Sequence, residues 1–200
     1  MFCYDTGMKE FWETLYLQQD TPWDLGQPAP PFEKLLAVRG QSLVRGKMAV
    51  LGCGRGHDAA LFARYGFDVT GFDMAPKAIE EAKGLYGHQV RFIQADIFRL
   101  DPVYFGQFDW VLEHTCFCAI SPSLRRAYAK TVTQLLKPGG GLIGLFWAHG
   151  RIGGPPYSTS RNELDQLFSP NFRIQLLEKT PFSVSDRQGQ EFLGIFYRKA

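Results

Sequence analysis

No apolar run in these 200 residues is long enough to cross a bilayer, and the opening MFCYDTGMKEFWE lacks the basic-then-apolar order of a secretory leader. The chain is read as cytoplasmic, without a membrane partner. Cysteine is scarce. Cys3, Cys53, Cys116 and Cys118 show neither structural-zinc spacing nor a Cys-x-x-Cys pair, so no metal site and no redox motif is expected. Cys116 and Cys118 stand two apart in an apolar run, so on a strand they share a face as small buried thiols. Lopsided charge is also missing. A net charge of +2 without a basic run excludes an obligate nucleic-acid binder. The densest basic cluster, Leu124-Arg125-Arg126, reads as the solvated face of a helix. Repeats and low-complexity tracts are absent as well. What is there is the balance of one globular domain with a sizeable core, 45% hydrophobic against 21% charged residues.

Strand-like and helix-like blocks alternate along the chain. Apolar runs at 48–53, 68–73, 90–96, 108–115 and 141–148 suit strands covered on both sides. Periodic stretches lie between them. One carries Leu61, Phe62 and Tyr65 and closes at Gly66; another, SLRRAYAKTVTQLL, stops at KPGG. Ser160 and Glu163 have capping-box spacing before a further helix. FRIQLLEKTPF and EFLGIFYRK, separated by SVSDRQGQ, form a hairpin-like pair. The expected fold is a single-domain α/β, doubly wound, mostly parallel sheet with an antiparallel C-terminal edge strand. The apolar edge at FLGIFYRK can pair with a neighbour, but nothing fixes the oligomeric state, and a monomer is the simpler reading. At the front, MKEFWETLYLQ is an amphipathic helix. DTPWDLGQPAPP after it must be irregular, with Trp23 either pinned under the core or lining a pocket.

Gly52, Gly54 and Gly56 follow the first strand and open a helix. Glycine allows the tight turn and lets a ligand approach the backbone. A dinucleotide fingerprint is spaced G-x-G-x-x-G and aims a helix N-terminus at a pyrophosphate. Here the spacing is G-x-G-x-G and the helix begins His57-Asp58. Asp58, expected as the cap of that helix, repels a pyrophosphate, which argues against a nicotinamide-dependent oxidoreductase. S-adenosylmethionine, a sulfonium with an amino-acid tail, meets no such repulsion. Asp73 ends the second strand, where a carboxylate can accept both ribose hydroxyls. Asp96 ends the third and can accept from an adenine amino group, with the Ile97 backbone along the ring. Alone, Asp96 is better explained by a cap or a solvated turn; the ordered set of three strand ends points to adenosine.

VLGCGRGHD, GFD, ADIF and LLKPGG, in this order, resemble class I S-adenosylmethionine-dependent methyltransferases. TPWDLGQPAP, HTCFCAI and GGPPY resemble the thiol and halide methyltransferases of the thiopurine S-methyltransferase superfamily, and the similarity continues through RQGQEFLG. The resemblance implies a Rossmann-like core over 41–200 with residues 1–40 as a cover, S-adenosylmethionine as cofactor, no metal, and a small-molecule or anionic acceptor. It implies that Trp12 and Trp23 close over the cofactor, with Tyr16 one helical turn after Trp12 keeping an aromatic surface. Gly52, Asp73, Asp96 and Ile97 match cofactor-contacting positions. Cys53, Gly54 and Gly56 belong to the same loop, and Glu113-His114 lies at the strand end nearest the methyl group, where plant members look like Asp-Tyr. Tyr157 matches a tyrosine near the acceptor. From the residues alone, aromatic faces attract a sulfonium by about 0.5–2 kcal/mol. Phe11, Trp12 and Tyr16 serve equally well as the core face of an amphipathic helix.

The expected acceptor walls are Cys116, Phe117, Trp147, Tyr157 and the Trp23 loop, mostly apolar. An activated sulfonium needs alignment and a dry nucleophile more than a base. His114 and Tyr157 are the candidates if a base exists, against the plainer reading of His114 as a ring packed at a strand end. His149 has less positional support, His57 belongs to the glycine-loop helix, and His88 is exposed. The expected activity is methyl transfer to a thiol, hydrosulfide or halide ion. Alternatives are a thiopurine, a selenium or tellurium species, an oxygen or nitrogen acceptor, or a non-catalytic S-adenosylmethionine-binding regulator.

Overall fold

Apolar runs in the first two-thirds of the chain pair as neighbouring parallel strands, because their side chains must be covered on both faces. In the computed structural model, which describes residues 4–199, β1 (Lys47–Leu51), β2 (Asp68–Asp73), β3 (Arg91–Gln94), β4 (Phe108–His114), β5 (Leu136–Trp147), β6 (Phe172–Lys179) and β7 (Glu191–Arg198) form one sheet. The order is β3-β2-β1-β4-β5-β7-β6. β1 to β5 are parallel, and β7 runs antiparallel to both β5 and β6. Cys3 lies outside the described residues. No helix among those described is long and apolar enough to cross a membrane.

The helices α1 (Tyr4–Leu17), α2 (Pro30–Arg39), α3 (His57–Arg64), α4 (Pro76–Tyr86), α5 (Cys116–Ala119), α6 (Arg125–Leu135) and α7 (Arg161–Phe168) cover the sheet. Two apolar clusters fill the layers. One gathers Leu51, Phe72, Val111, Phe117, Tyr128, Phe146 and Phe168; the other gathers Phe32, Val50, Phe62, Leu112, Ile143 and Ile195. Successive residues such as Val111 and Leu112 go to opposite clusters, as the two-residue period of a strand requires. Chain order reverses at β1, which sends β2 to one side and β4 to the other. Their carboxyl ends open the crevice where ligands bind in such sheets.

Several expectations are refined. The C-terminal hairpin is present, but β7 lies inside it and β6 forms the edge, so FLGIFYRK is paired on both sides and offers no free edge. β5 begins at Leu136 rather than 141, directly after α6, with a register irregularity opposite Phe108 and Trp110. β4 stops at His114 because Thr115 adopts φ 62, a costly left-handed conformation for a β-branched residue. Cys116 and Cys118 therefore sit on the α5 turn and not on a strand face, although both are buried. Arg125 is not on a solvated face. It is buried, donates to Glu163, and reaches the backbone oxygens of Tyr157 and Ser158 at 3.2 and 3.1 Å. Ser160 caps α7 by accepting from Glu163 N. The Glu163 carboxylate serves Arg125 and Thr159, so the capping box is half used.

Candidate active site

The glycine loop leaves β1 through Gly52 (φ 59) and Gly54 (φ 52), values that favour glycine. Space is a second reason. A Cβ on Gly52 would stand 2.8 Å from the Cys116 side chain, and one on Gly54 would stand 2.8 Å from the Tyr16 hydroxyl. The loop thus floors a cavity of about 510 Å³ at the carboxyl ends of β1, β2 and β4. Asp73 closes β2 at its wall. Its Oδ2 accepts from Gly54 N and its Oδ1 from Ala75 N, both at 2.9 Å. Burial raises its pKa and outweighs those backbone donors. Each oxygen keeps a lone pair for another donor. Asp96 and Ile97 line the cavity from the end of β3. Asp96 Oδ1 accepts from Phe98 N at 2.9 Å, and the buried Ile97 is fixed through Thr131, whose hydroxyl donates to its carbonyl at 3.2 Å.

The segment before β1 roofs this space. Trp23 meets Trp12 and Tyr16 edge-on, with ring centroids 5.3 and 5.8 Å apart, and its Nε1 donates to the Tyr16 hydroxyl at 3.4 Å. Burial, then the Asp73 charge, pushes the Tyr16 phenol up, so it remains a protonated donor. Arg55 fastens the roof. Its guanidinium reaches Asp24 at 2.5 Å, Thr21 at 2.7 Å and Glu81 at 2.6 Å, and lies over the Tyr16 ring. Burial opposes the Asp24 charge, but His57 and Arg55 hold that carboxyl far below its ordinary range. Asp58 is a second fastening and no cap. Its Oδ1 accepts from Ala29 N and its Oδ2 from His114 Nδ1, each at 2.7 Å.

Both histidines that line the cavity are tied at both ring nitrogens. His57 has Tyr86 at 2.9 Å on Nδ1 and Asp24 at 3.3 Å on Nε2. His114 has Asp58 on Nδ1 and Arg187 Nη1 at 3.3 Å on Nε2. Arg187 escaped the sequence reading as a site residue. It is buried, donates to Trp23 O at 3.0 Å, lies 3.6 Å from Glu191 and stacks over Trp147. The only signal was its place in RQGQEFLG, where a turn arginine reads as solvated. Met8, Phe11, Leu25, Met74 and Phe98 line the cavity as well; Leu25 and Phe98 stand inside TPWDLGQPAP and ADIF, while Met8, Phe11 and Met74 carried no motif.

Of the sequence-predicted residues, Trp12, Tyr16, Trp23, Gly52, Cys53, Gly54, Gly56, Asp73, Asp96, Ile97, His114, Cys116 and Trp147 line this one cavity. Three expected neighbours point elsewhere. Glu113 is fully buried on the core side of β4, where it accepts from Phe117 N at 2.7 Å and from the Tyr128 hydroxyl. Alternation along the strand sends it opposite to His114. Phe117 joins the aromatic core with Tyr128, Phe146 and Phe168. The Tyr157 ring packs on Gly154 while Pro155 and Pro156 reach the cavity. Burial raises the thiols of Cys53, Cys116 and Cys118, the last to about 12, so they are walls and not nucleophiles. No cluster of three or more metal-ligating side chains occurs among the described residues.

Residues 8–197 match the family model of thiopurine S-methyltransferase. Thiocyanate methyltransferase 1 of Arabidopsis thaliana is 34% identical over 200 residues, covering 96% of this chain and 86% of that protein. Probable thiol methyltransferase 2 of the same plant is 35% identical, over 92% of this chain and 82% of its own length. The fold matches the crystal structure of Burkholderia thailandensis 1,6-didemethyltoxoflavin-N1-methyltransferase, solved with its substrate and S-adenosylhomocysteine. That match has a TM-score of 0.75 and 19% identity, over 96% of this chain and 88% of that one. The glycine loop, the paired carboxylates and the aromatic roof thus belong to a chain that is a member of the thiopurine S-methyltransferase family, an S-adenosylmethionine-dependent methyltransferase.

Proposed function

We propose that this protein transfers the methyl group of S-adenosylmethionine to a small sulfur nucleophile, a thiol or hydrosulfide, or to a halide ion. One observation carries the acceptor class. Neither histidine in the cavity has a free ring nitrogen, so the wall offers no imidazole base and suits an acceptor that arrives as an anion. At an ordinary thiol pKa of about 8.5 a few per cent is thiolate near neutrality, and halide and thiocyanate need no base at all. The family and its thiocyanate and thiol methyltransferase members support the same class.

The cavity residues fit the cofactor. Gly52 and Gly54 present bare backbone on the cavity floor, where a Cβ would collide with Cys116 or Tyr16, beside a buried carboxylate with lone pairs to spare. In this reading Asp73 accepts from the ribose hydroxyls and Asp96 from the adenine amino group, with Ile97 along the ring. The cofactor supplies a methyl carbon on a sulfonium, whose leaving group is a neutral thioether. Trp12, Tyr16 and Trp23, within the covering segment 1–40, exclude water and offer electron-rich faces to the positive sulfur. The core, residues 41–200, holds the nucleoside. The thiolate lone pair forms the new S–CH3 bond as the C–S bond opposite breaks and its electron pair returns to the leaving sulfur. The thiol proton goes to water before transfer. Trp147, backed by Arg187 on its ring, walls the side from which the anion approaches in line.

Purified protein incubated with S-adenosylmethionine and hydrosulfide, 2-mercaptoethanol, thiocyanate or iodide is expected to release the corresponding methylated product, read by gas chromatography. Tight S-adenosylhomocysteine binding with no methylation of any of the four acceptors overturns the reading.

A further inference from the structure

A second cavity of about 480 Å³ adjoins the first and shares Pro22, Leu25, Trp147 and Arg151 with it. Its chemistry differs. The Trp147 ring carries two guanidinium groups, Arg187 at 4.7 Å and Arg151 at 5.1 Å from its centroid. Arg187 is balanced by Glu191, but Arg151 has no carboxylate partner among the described residues. His149 orients Arg151 instead: its Nδ1 accepts from the Arg151 backbone N–H at 3.1 Å and from Nε at 3.2 Å. Burial and the Arg151 charge push that imidazole down, consistent with a neutral acceptor. Gln190 completes the wall. Its carboxamide oxygen accepts from Trp147 Nε1 at 3.2 Å, which leaves its NH2 as a donor. The lining carboxylate, Asp186, is exposed at the rim, where water screens it.

Like charges held on one aromatic plate, with donors left over, are what an oxyanion would settle. We infer that the second cavity is an acceptor subsite for the carboxylate or sulfonate at the far end of an organic thiol. Arg151 and Gln190 hold the oxyanion beside Arg187, while the sulfur reaches the first cavity past Pro22 and Leu25. This rests on the methyltransferase reading above and narrows it: besides simple anions, the preferred thiols carry a negatively charged tail. The displacement is unchanged, and the tail supplies binding common to the ground and transition states, so its loss should appear in KM.

The experiment compares 3-mercaptopropionate with 2-mercaptoethanol as acceptors in the native protein and in Arg151→Gln, with hydrosulfide as a control. Taking the ratio between proteins cancels the different acidities of the two thiols. Arg151 is exposed, so Arg151→Gln is expected to raise KM for 3-mercaptopropionate by no more than about fivefold, the upper scale of an exposed ion pair. Its kcat should hold, KM for 2-mercaptoethanol should stay within twofold, and Arg151→Lys should restore part of the loss. An unchanged KM ratio in Arg151→Gln overturns the subsite. So does methylation of hydrosulfide but of neither organic thiol, which leaves the sulfur-methyltransferase reading intact. Failure with all three acceptors, by contrast, removes that underlying reading.

Discussion

His114 Nδ1 lies 2.7 Å from Asp58 Oδ2, and the other oxygen of that carboxylate takes the backbone N–H of Ala29. One side chain at the start of α3 thereby fixes both the roof segment and the ring at the end of β4. Burial alone would lower the imidazole pKa, but the Asp58 charge and hydrogen bond hold it above its ordinary value. In the neutral ring, with Nδ1–H committed to Asp58, Nε2 is left to accept from Arg187. His114 is then a positioning residue for Arg187. His114→Gln is expected to lower kcat/KM for a thiol by less than about tenfold and to leave its pH profile tracking the thiolate fraction. A drop of about 10²–10⁴ with loss of the acidic limb set by the imidazole is the signature of a general base and would contradict this assignment.

Glu113 gives a test of stability. Burial raises its pKa to about 7 against 4.5 in the free side chain, despite hydrogen bonds from Phe117 N and Tyr128. Between those two values the folded state holds a proton that the unfolded state has released, so stability falls as pH rises through that window. The full difference is about 3 kcal/mol. Below 4.5 no such loss applies, and above 7 it is constant. Glu113→Gln removes the titration, so thermal melts at pH 5 and pH 8 should show a smaller decline than in the native protein. Because Glu113 faces the core, S-adenosylhomocysteine affinity should stay within about twofold. An affinity loss above tenfold would return Glu113 to the site.

How far the sequence reveals this site depends on which way each signal points. The order of Gly52, Asp73 and Asp96 at successive strand ends follows from the apolar runs before them, because a doubly wound sheet carries all its parallel strand ends to one crevice. Trp23 was legible because prolines around it forbid a helix. Glu113 was not. It sits one residue from His114, and adjacent strand residues face opposite layers, so adjacency to a site residue was the wrong guide. Phe117 went astray for a related reason: the left-handed Thr115 turns β4 into α5, and apolar character does not announce that turn. Arg125 looks solvated in sequence, since its partner Glu163 is brought to it by tertiary packing; Arg187 has Glu191 four residues on, but its burial against Trp147 and Trp23 is set by packing alone.

Asp73 should dominate cofactor affinity. In Asp73→Asn one carboxylate oxygen becomes an NH2 group facing a backbone donor, Gly54 N or Ala75 N, and the charge that a ribose hydroxyl would meet is gone. A charge-assisted hydrogen bond of about 2 kcal/mol corresponds to roughly 30-fold weaker S-adenosylhomocysteine binding by calorimetry. A thermal melt on the same sample separates lost binding from lost fold. Affinity within threefold of the native protein would place the ribose elsewhere.

The roof depends on Arg55 in a way that distinguishes a latch from a wall. Its guanidinium joins Asp24 and Thr21 of the roof to Glu81 of α4 and lies 5.4 Å from the centre of the Tyr16 ring. Arg55→Met keeps most of the aliphatic stem, so packing changes little while both carboxylates lose a partner. These groups are partly exposed and can rehydrate, so global stability should fall by only about 1 kcal/mol. The larger effect is local. Without the guanidinium, Asp24 keeps Gly26 N within the roof and only His57 as its link to α3, and the aromatic cluster of Trp12, Tyr16 and Trp23 loses the Arg55 anchor to the glycine loop. Hydrogen exchange at residues 8–26 should accelerate while β1 and β4 stay protected, because roof opening is a sub-global event. Open conformers bind cofactor poorly, so S-adenosylhomocysteine affinity should fall about tenfold if the closed population falls tenfold. Unchanged exchange at 8–26 with an undiminished affinity would mean that the aromatic contacts alone keep the roof shut.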